Sequence, residues 1–258
     1  MQVQIVVFIT FITVNVILLL CNGEPELIWS DEFDGQSIDR TKWAYYTGKA
    51  PNNELEQYTN RTENVFVENG NLVLKAIKEI YNGHNFTSGE IYSQYKGDFL
   101  YKTVKVRAKL PYGRGVWPAI WMLPTYYKHG PGIASGEIDI LELLGDKPNK
   151  MYSTCHYGKT WTDRDSKSSN YSLPHGDFSD DFHVFSMKWS PDLIRIFVDD
   201  VQIINFRPSD VPKKYTYPFD DYFYIILNVA VGGNWPGSPD ASTVFPQVML
   251  IDYVRVYK

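Results

Sequence analysis

Between Glu24 and Lys258 no stretch of ten residues repeats its apolar side chains at helical spacing. What recurs instead is the period of two that belongs to strands. Residues 104–110 alternate apolar side chains with Lys and Arg. Residues 65–75 alternate about Asn69-Gly70, a dipeptide suited to the left-handed backbone of a two-residue hairpin turn. Segments 183–189 and 193–198 read as strands, and Asp199-Asp200 turns the second into 201–204. Residues 222–231 form a nearly continuous apolar run, as a central strand buried on both faces requires. Residues 248–257 close the chain as a further strand. Many short strands separated by turn signals predict an all-β sandwich of two antiparallel sheets. The polar stretch 158–181 and the segment 124–134 read as loops.

The start of the chain has a different character. Residues 2–20 are almost continuously apolar, and the small Gly23 precedes the charged Glu24. This pattern predicts a secretory signal peptide over 1–23, the alternative being a membrane anchor. One large all-β domain then spans 24–258, expected to be a secreted, extracellular monomer with no membrane partner after cleavage. Of two cysteines, Cys21 leaves with the leader, so Cys155 is a lone thiol and no disulfide framework staples the fold. Asn60, Asn85 and Asn170 each open an Asn-x-Ser/Thr acceptor triplet, in keeping with secretion. A net charge of −5 and the lack of a basic run argue against nucleic acid as a partner.

Residues 135–145 carry three acids among aliphatic side chains: Glu137, Asp139 and Glu142. A helix would scatter them around its circumference. In a strand, Glu137 and Asp139 share a face, and Glu142 falls on the other. One extra residue, a β-bulge, restores the parity and brings all three to one surface. Crowding like charges on a partly dry surface drives their pKa values apart. Two such glutamates about 5 Å apart have the separation used for double displacement at a glycosidic bond, with Asp139 between them keeping the pair unequally protonated. An exposed acidic strand or a metal site is the alternative.

Aromatic residues make up 16% of the chain. Trp117 and Trp121, four residues apart, share a face of an extended segment, and Trp235 sits in the glycine-rich loop 232–237. Indole rings stack on the C–H faces of sugars, and nearby Asn and Glu side chains suit hydroxyls. Packing within the core is the other reading for Trp117 and Trp121. Asn53 and Glu56 lie in a polar cluster ahead of a strand and are suited to gripping hydroxyls. His156 falls on a predicted strand soon after the acids, either as a structural group or as a hydrogen-bond partner of a sugar or of Glu142. No second His or Cys stands at metal-ligand spacing from it, so a zinc site is not expected.

Ser135-Gly-Glu-Ile-Asp-Ile-Leu-Glu, with Gly113-Arg-Gly-Val-Trp-Pro-Ala-Ile-Trp-Met-Leu before it, resembles glycoside hydrolase family 16. Within that family it is most similar to the laminarinases, endo-acting β-1,3-glucanases. Trp29-Ser-Asp-Glu-Phe-Asp-Gly, Asn53-Glu-Leu-Glu-Gln-Tyr-Thr and the final strand region carry the same likeness. The resemblance implies a β-jelly roll whose concave sheet forms an open substrate cleft for a β-glucan polysaccharide. It implies Glu137 as nucleophile, Glu142 as acid/base and Asp139 as their helper. It places Asn53, Trp117, Trp121, His156, Asn234 and Trp235 along the cleft. No cofactor is required for the chemistry, but a structural calcium held by Glu32, Gly70 and Asp252 is implied. Three departures stand out: Glu90 where the family has Arg, Gly132-Ile133 where a Trp-Pro pair is common, and Lys102 in place of Gly. A non-catalytic β-glucan recognition protein and a transglycosylase on the same fold remain as alternatives.

Overall fold

The strand Phe223–Val231 is buried along its whole length, as its unbroken apolar run demands. In the computed structural model, which describes residues 25–49 and 51–258, it lies at the middle of an eight-stranded sheet. That sheet runs Asp163–Ser172, Lys150–Thr160, Glu137–Leu143, Val116–Pro124, Phe223–Val231, Glu90–Tyr92, Ala44–Tyr45, with Asp98–Phe99 paired to one side. An eleven-stranded sheet packs against it. Its main path is Val201–Phe206, Leu193–Val198, His183–Ser190, Thr103–Lys109, Gln247–Tyr257, Asn71–Tyr81, His84–Ser88, Glu56–Tyr58 and Gly48–Lys49. The pairings are antiparallel, except that Glu56–Tyr58 runs parallel to His84–Ser88. The result is the jelly-roll sandwich that the strand pattern and the resemblance predict.

The core between the sheets follows from the alternation. In Thr103–Lys109 the side chains of Val104, Val106 and Ala108 point inward while Lys105 and Arg107 stay partly exposed. Phe178, Phe185, Phe206, Phe219 and Phe223 are fully buried in the same core. The two predicted turns have the required backbone: Asn69 and Gly70 at φ 52° and 72°, Asp199 and Asp200 at 46° and 67°. Cys155 is buried and unpaired. Among the described residues, helix is confined to the single 3-10 turns Gly132–Ser135 and Pro208–Asp210, and no helix is long and apolar enough to cross a membrane. The leader over 1–23, including Cys21, lies outside the described residues.

One expectation is corrected. The segment 158–181 is not a continuous loop, because Lys150–Thr160 and Asp163–Ser172 form a long antiparallel hairpin. The second strand is a sheet edge whose side chains are nearly all exposed. With neither face buried it carries no apolar alternation, and its ladder rests on backbone hydrogen bonds that a pattern of side chains cannot reveal.

Candidate active site

The acids stand on Glu137–Leu143, in the middle of the eight-stranded sheet. Its ladder to Lys150–Thr160 pairs Asp139 with Thr154 but Glu142 with Tyr152, three steps on one strand against two on the other. Toward Val116–Pro124, Asp139 faces Trp121 and Leu141 faces Ile120, which leaves Ile140 without a partner. This is the one-residue bulge that the acid spacing predicts. A bulge frees a backbone group, and here Ser153 Oγ donates to the Ile140 carbonyl at 2.7 Å inside the core. Ile138, Ile140, Leu141 and Leu143 are fully buried, and Glu137, Asp139 and Glu142 line one cavity of about 420 Å³ on the opposite face. Glycines close both ends of the strand. A side chain at Gly136, whose φ is 82°, would meet Pro218 at 2.8 Å, and one at Gly145 would meet the Gly113 carbonyl at 2.2 Å.

The surrounding groups act on these carboxyls. Trp117 Nε1 donates to Glu142 Oε1 at 3.2 Å. Trp121 Nε1 donates to Asn228 Oδ1 at 2.9 Å, and Asn228 donates in turn to the Tyr58 hydroxyl at 2.8 Å. His156 Nε2 lies 3.3 Å from Asp139 Oδ2, an oxygen that makes no well-aligned hydrogen bond. Burial pushes Glu137 up to about 8, the Asp139 charge adds to the rise, and the charges of His156 and Arg164 oppose it. Burial likewise holds Asp139 at about 8. Glu142 is driven well above the usual range by burial and then by Asp139 and Glu137, with the Trp117 hydrogen bond pulling the other way. All three carboxyls are therefore biased toward holding a proton.

A second lobe of about 410 Å³ joins the first, since Asn52, Trp117, Glu137 and Glu142 belong to both walls. Trp235 stands there, 44% exposed, edge-on to Trp117 and Tyr152 with ring centroids 5.6 and 5.0 Å away. Asn234 and His156 line the same lobe. Asn53 does not line either lobe; its amide donates to Asn234 Oδ1 at 2.9 Å, and the neighbouring Asn52 takes the wall position. Trp117 and Trp121 both line the first lobe and are only half-buried, which separates them from core packing.

Other wall residues escaped the sequence reading. Glu54 and Glu90 line the first lobe, and Glu90 is pushed up to about 8 by burial and then by the Glu54 charge. Glu90 was visible only as a departure from the family pattern. Glu56, expected to grip hydroxyls, is instead fully buried, and its Oε2 accepts from the Val231 amide at 2.7 Å. Trp161 and Arg164 line the second lobe from the hairpin that had read as loop. One ligand atom each of Glu137, Asp139 and His156 could gather on a metal, all within 4.8 Å of one another, the only such His, Cys, Asp and Glu group among the described residues.

The expected calcium ligands present a different picture. Arg255 forks the Glu32 carboxylate, with Nη2 to Oε2 at 2.7 Å, and Arg107 pairs with Asp252 at 2.7 Å. Gly70 occupies a tight turn and offers only backbone. Two carboxylates already neutralised by guanidinium groups fit a hard cation poorly, so this donor set does not match the implied ion.

Comparison with known proteins agrees with this geometry. The pattern described as "Glycosyl hydrolases family 16" matches residues 52–255. The glucan endo-1,3-beta-glucosidase A1 of Niallia circulans is 41% identical over 90% of this chain, which spans 38% of that relative's length. The beta-glucanase of Rhodothermus marinus is 39% identical, with 90% of this chain and 85% of the relative aligned. The laminarinase catalytic domain of Thermotoga maritima superposes with a TM-score of 0.85 at 40% identity, covering 92% of this chain and 99% of that one. With a bulged acid strand at the floor of a cleft and a family match over most of its length, the chain belongs to glycosyl hydrolase family 16.

Proposed function

We propose that this chain is a secreted endo-β-1,3-glucanase that cleaves laminarin-type glucans with retention of anomeric configuration. The observation that carries the proposal is the bulge, which turns Glu142 to the side of Glu137 and sets both in one wall of the cleft. Glu137 attacks the anomeric carbon while Glu142 gives its proton to the departing glycosidic oxygen. The same carboxylate then takes a proton from water, whose oxygen displaces Glu137 from the sugar. The surroundings suit these roles: burial and the neighbouring acids favour the protonated form of Glu142, and Trp117 donates to its Oε1 at 3.2 Å. Asp139, buried between them, disfavours the charged form of both glutamates when it is itself ionised.

The specificity for β-1,3-glucan rests on the likeness to endo-1,3-beta-glucosidase and laminarinase relatives, and secretion on the apolar leader over 1–23. The protein acts as a monomer in this reading and uses no cofactor in the chemical steps. Glu137→Gln and Glu142→Gln are each expected to lower kcat/KM on laminarin by at least 10³-fold, about 4 kcal/mol of transition-state stabilisation. NMR of the first products is expected to show the β-anomer. Release of the α-anomer would exclude double displacement, and the absence of new reducing ends would favour a glucan-binding protein, the description of a Penaeus monodon relative 38% identical over 60% of this chain.

A further inference from the structure

The hairpin between Lys150–Thr160 and Asp163–Ser172 carries at its tip a tryptophan that the core does not use. Trp161 is 54% exposed. Its indole nitrogen rests against the loop that leads into the acid strand, so close that a Cβ on Gly132 would lie 3.3 Å from it. The Arg164 guanidinium sits 4.9 Å from the centre of its ring. Register places Arg164, Ser166 and Ser168 opposite Gly158, His156 and Thr154, so these alternate residues share the face that carries His156. All three, with Trp161, line the second lobe, and that lobe is continuous with the acids through Glu137 and Glu142. A half-bare ring, a cation and two hydroxyls beside a sugar-cleaving centre form a built surface with hydroxyl partners and a stacking plane.

We infer that Trp161 and Arg164 form a binding station for glucose units lying beyond those at the acids, with the ring taking a sugar C–H face and Arg164, Ser166 and Ser168 its hydroxyls. The inference deepens the glucanase reading and rests on it for the identity of the sugar. The station acts on binding of longer chains, so loss of Trp161 should appear mainly in KM, whereas Arg164 also opposes the rise of Glu137 and its loss is expected to lower kcat as well.

Steady-state kinetics on laminarin test this with W161A, R164A and the conservative W161F, against I80A as an exposed control that lines neither lobe. W161A is expected to raise KM about tenfold, which is about 1.4 kcal/mol, with kcat falling much less and thermal unfolding unchanged. R164A is expected to raise KM severalfold, and W161F to recover most of the loss. A KM within twofold of the parent for both W161A and R164A would overturn the inference. Calorimetric binding of laminarihexaose to the E137Q protein, with and without W161A, separates this from the fate of the catalytic reading. A tenfold weaker hexaose complex supports the station even if the parent cleaves no laminarin. Unaltered affinity, or no hexaose binding at all, refutes it.

Discussion

The Asp139 charge acts on both its acidic neighbours. Burial comes first for Glu137 and Glu142, but the Asp139 charge is the next largest influence on each, and it pushes both upward. Replacing it by Asn keeps the shape and removes the charge, so both carboxyls should release protons at lower pH. Activity needs Glu137 ionised and Glu142 protonated, and the limbs of a pH–rate profile report the trio as a coupled set. For Asp139→Asn both limbs are therefore expected to move to lower pH, with kcat reduced roughly tenfold or more. An alkaline limb that stays put or moves upward would show that Glu142 does not feel this charge. Parity alone places Glu137 and Asp139 on one surface; Glu142 joins them only through the bulge, which its spacing and the family resemblance together made legible. The wall was less so: choosing Asn52 over Asn53 depends on two consecutive left-handed backbones, at φ 58° and 59°, which composition does not encode.

The acid strand works because its bulge is satisfied. Ser153 is fully buried, and its hydroxyl is the partner of the Ile140 carbonyl that the bulge releases from the ladder. Ser153→Ala would leave that oxygen buried and unpaired, a loss of about 2 kcal/mol. In a domain of this size the melting temperature should fall by roughly 4–8 °C. Because Glu142 lies just beyond the bulge, kcat should fall with it, while a surface change such as Ser190→Ala should alter neither. A Ser153→Ala protein with parental melting temperature and activity would mean that the bulge is held by its flanks alone. Elements with one buried face were readable, down to the Asn69-Gly70 and Asp199-Asp200 turns. The edge strand Asp163–Ser172 was not, since it buries neither face and leaves no periodic trace.

Across the whole molecule, carboxyls fall into two groups that respond to pH in opposite directions. Glu32 and Glu79 are held below their usual value by hydrogen bonds from Arg255 and Arg61. Such groups stabilise the fold above the unfolded carboxylate pKa, about 4.3, and that contribution is lost as pH falls below it. The buried acids do the reverse. Burial first, and neighbouring acids after it, raise Glu90 and Glu137 to about 8, burial alone raises Asp139 to about 8, and Glu56 goes well above the usual range. A carboxyl held high in the fold binds its proton more tightly than in the unfolded chain. Its contribution is therefore complete below about pH 4 and is lost as pH climbs toward 8. The two windows meet between them, so stability should peak near pH 4.5 and decline steadily to pH 8. Among the described residues Glu90 has no ion-pair partner, and its rise comes from burial and the Glu54 charge rather than from the three acids of the bulge, which makes it the cleanest probe. Glu90→Gln should leave the melting temperature at pH 4.5 close to the parent's and raise it by several degrees at pH 8. A parental melting curve that is flat between pH 5 and 8, or a Gln variant no more stable at pH 8, would mean that water or local opening relieves the burial of the cleft acids before they ionise.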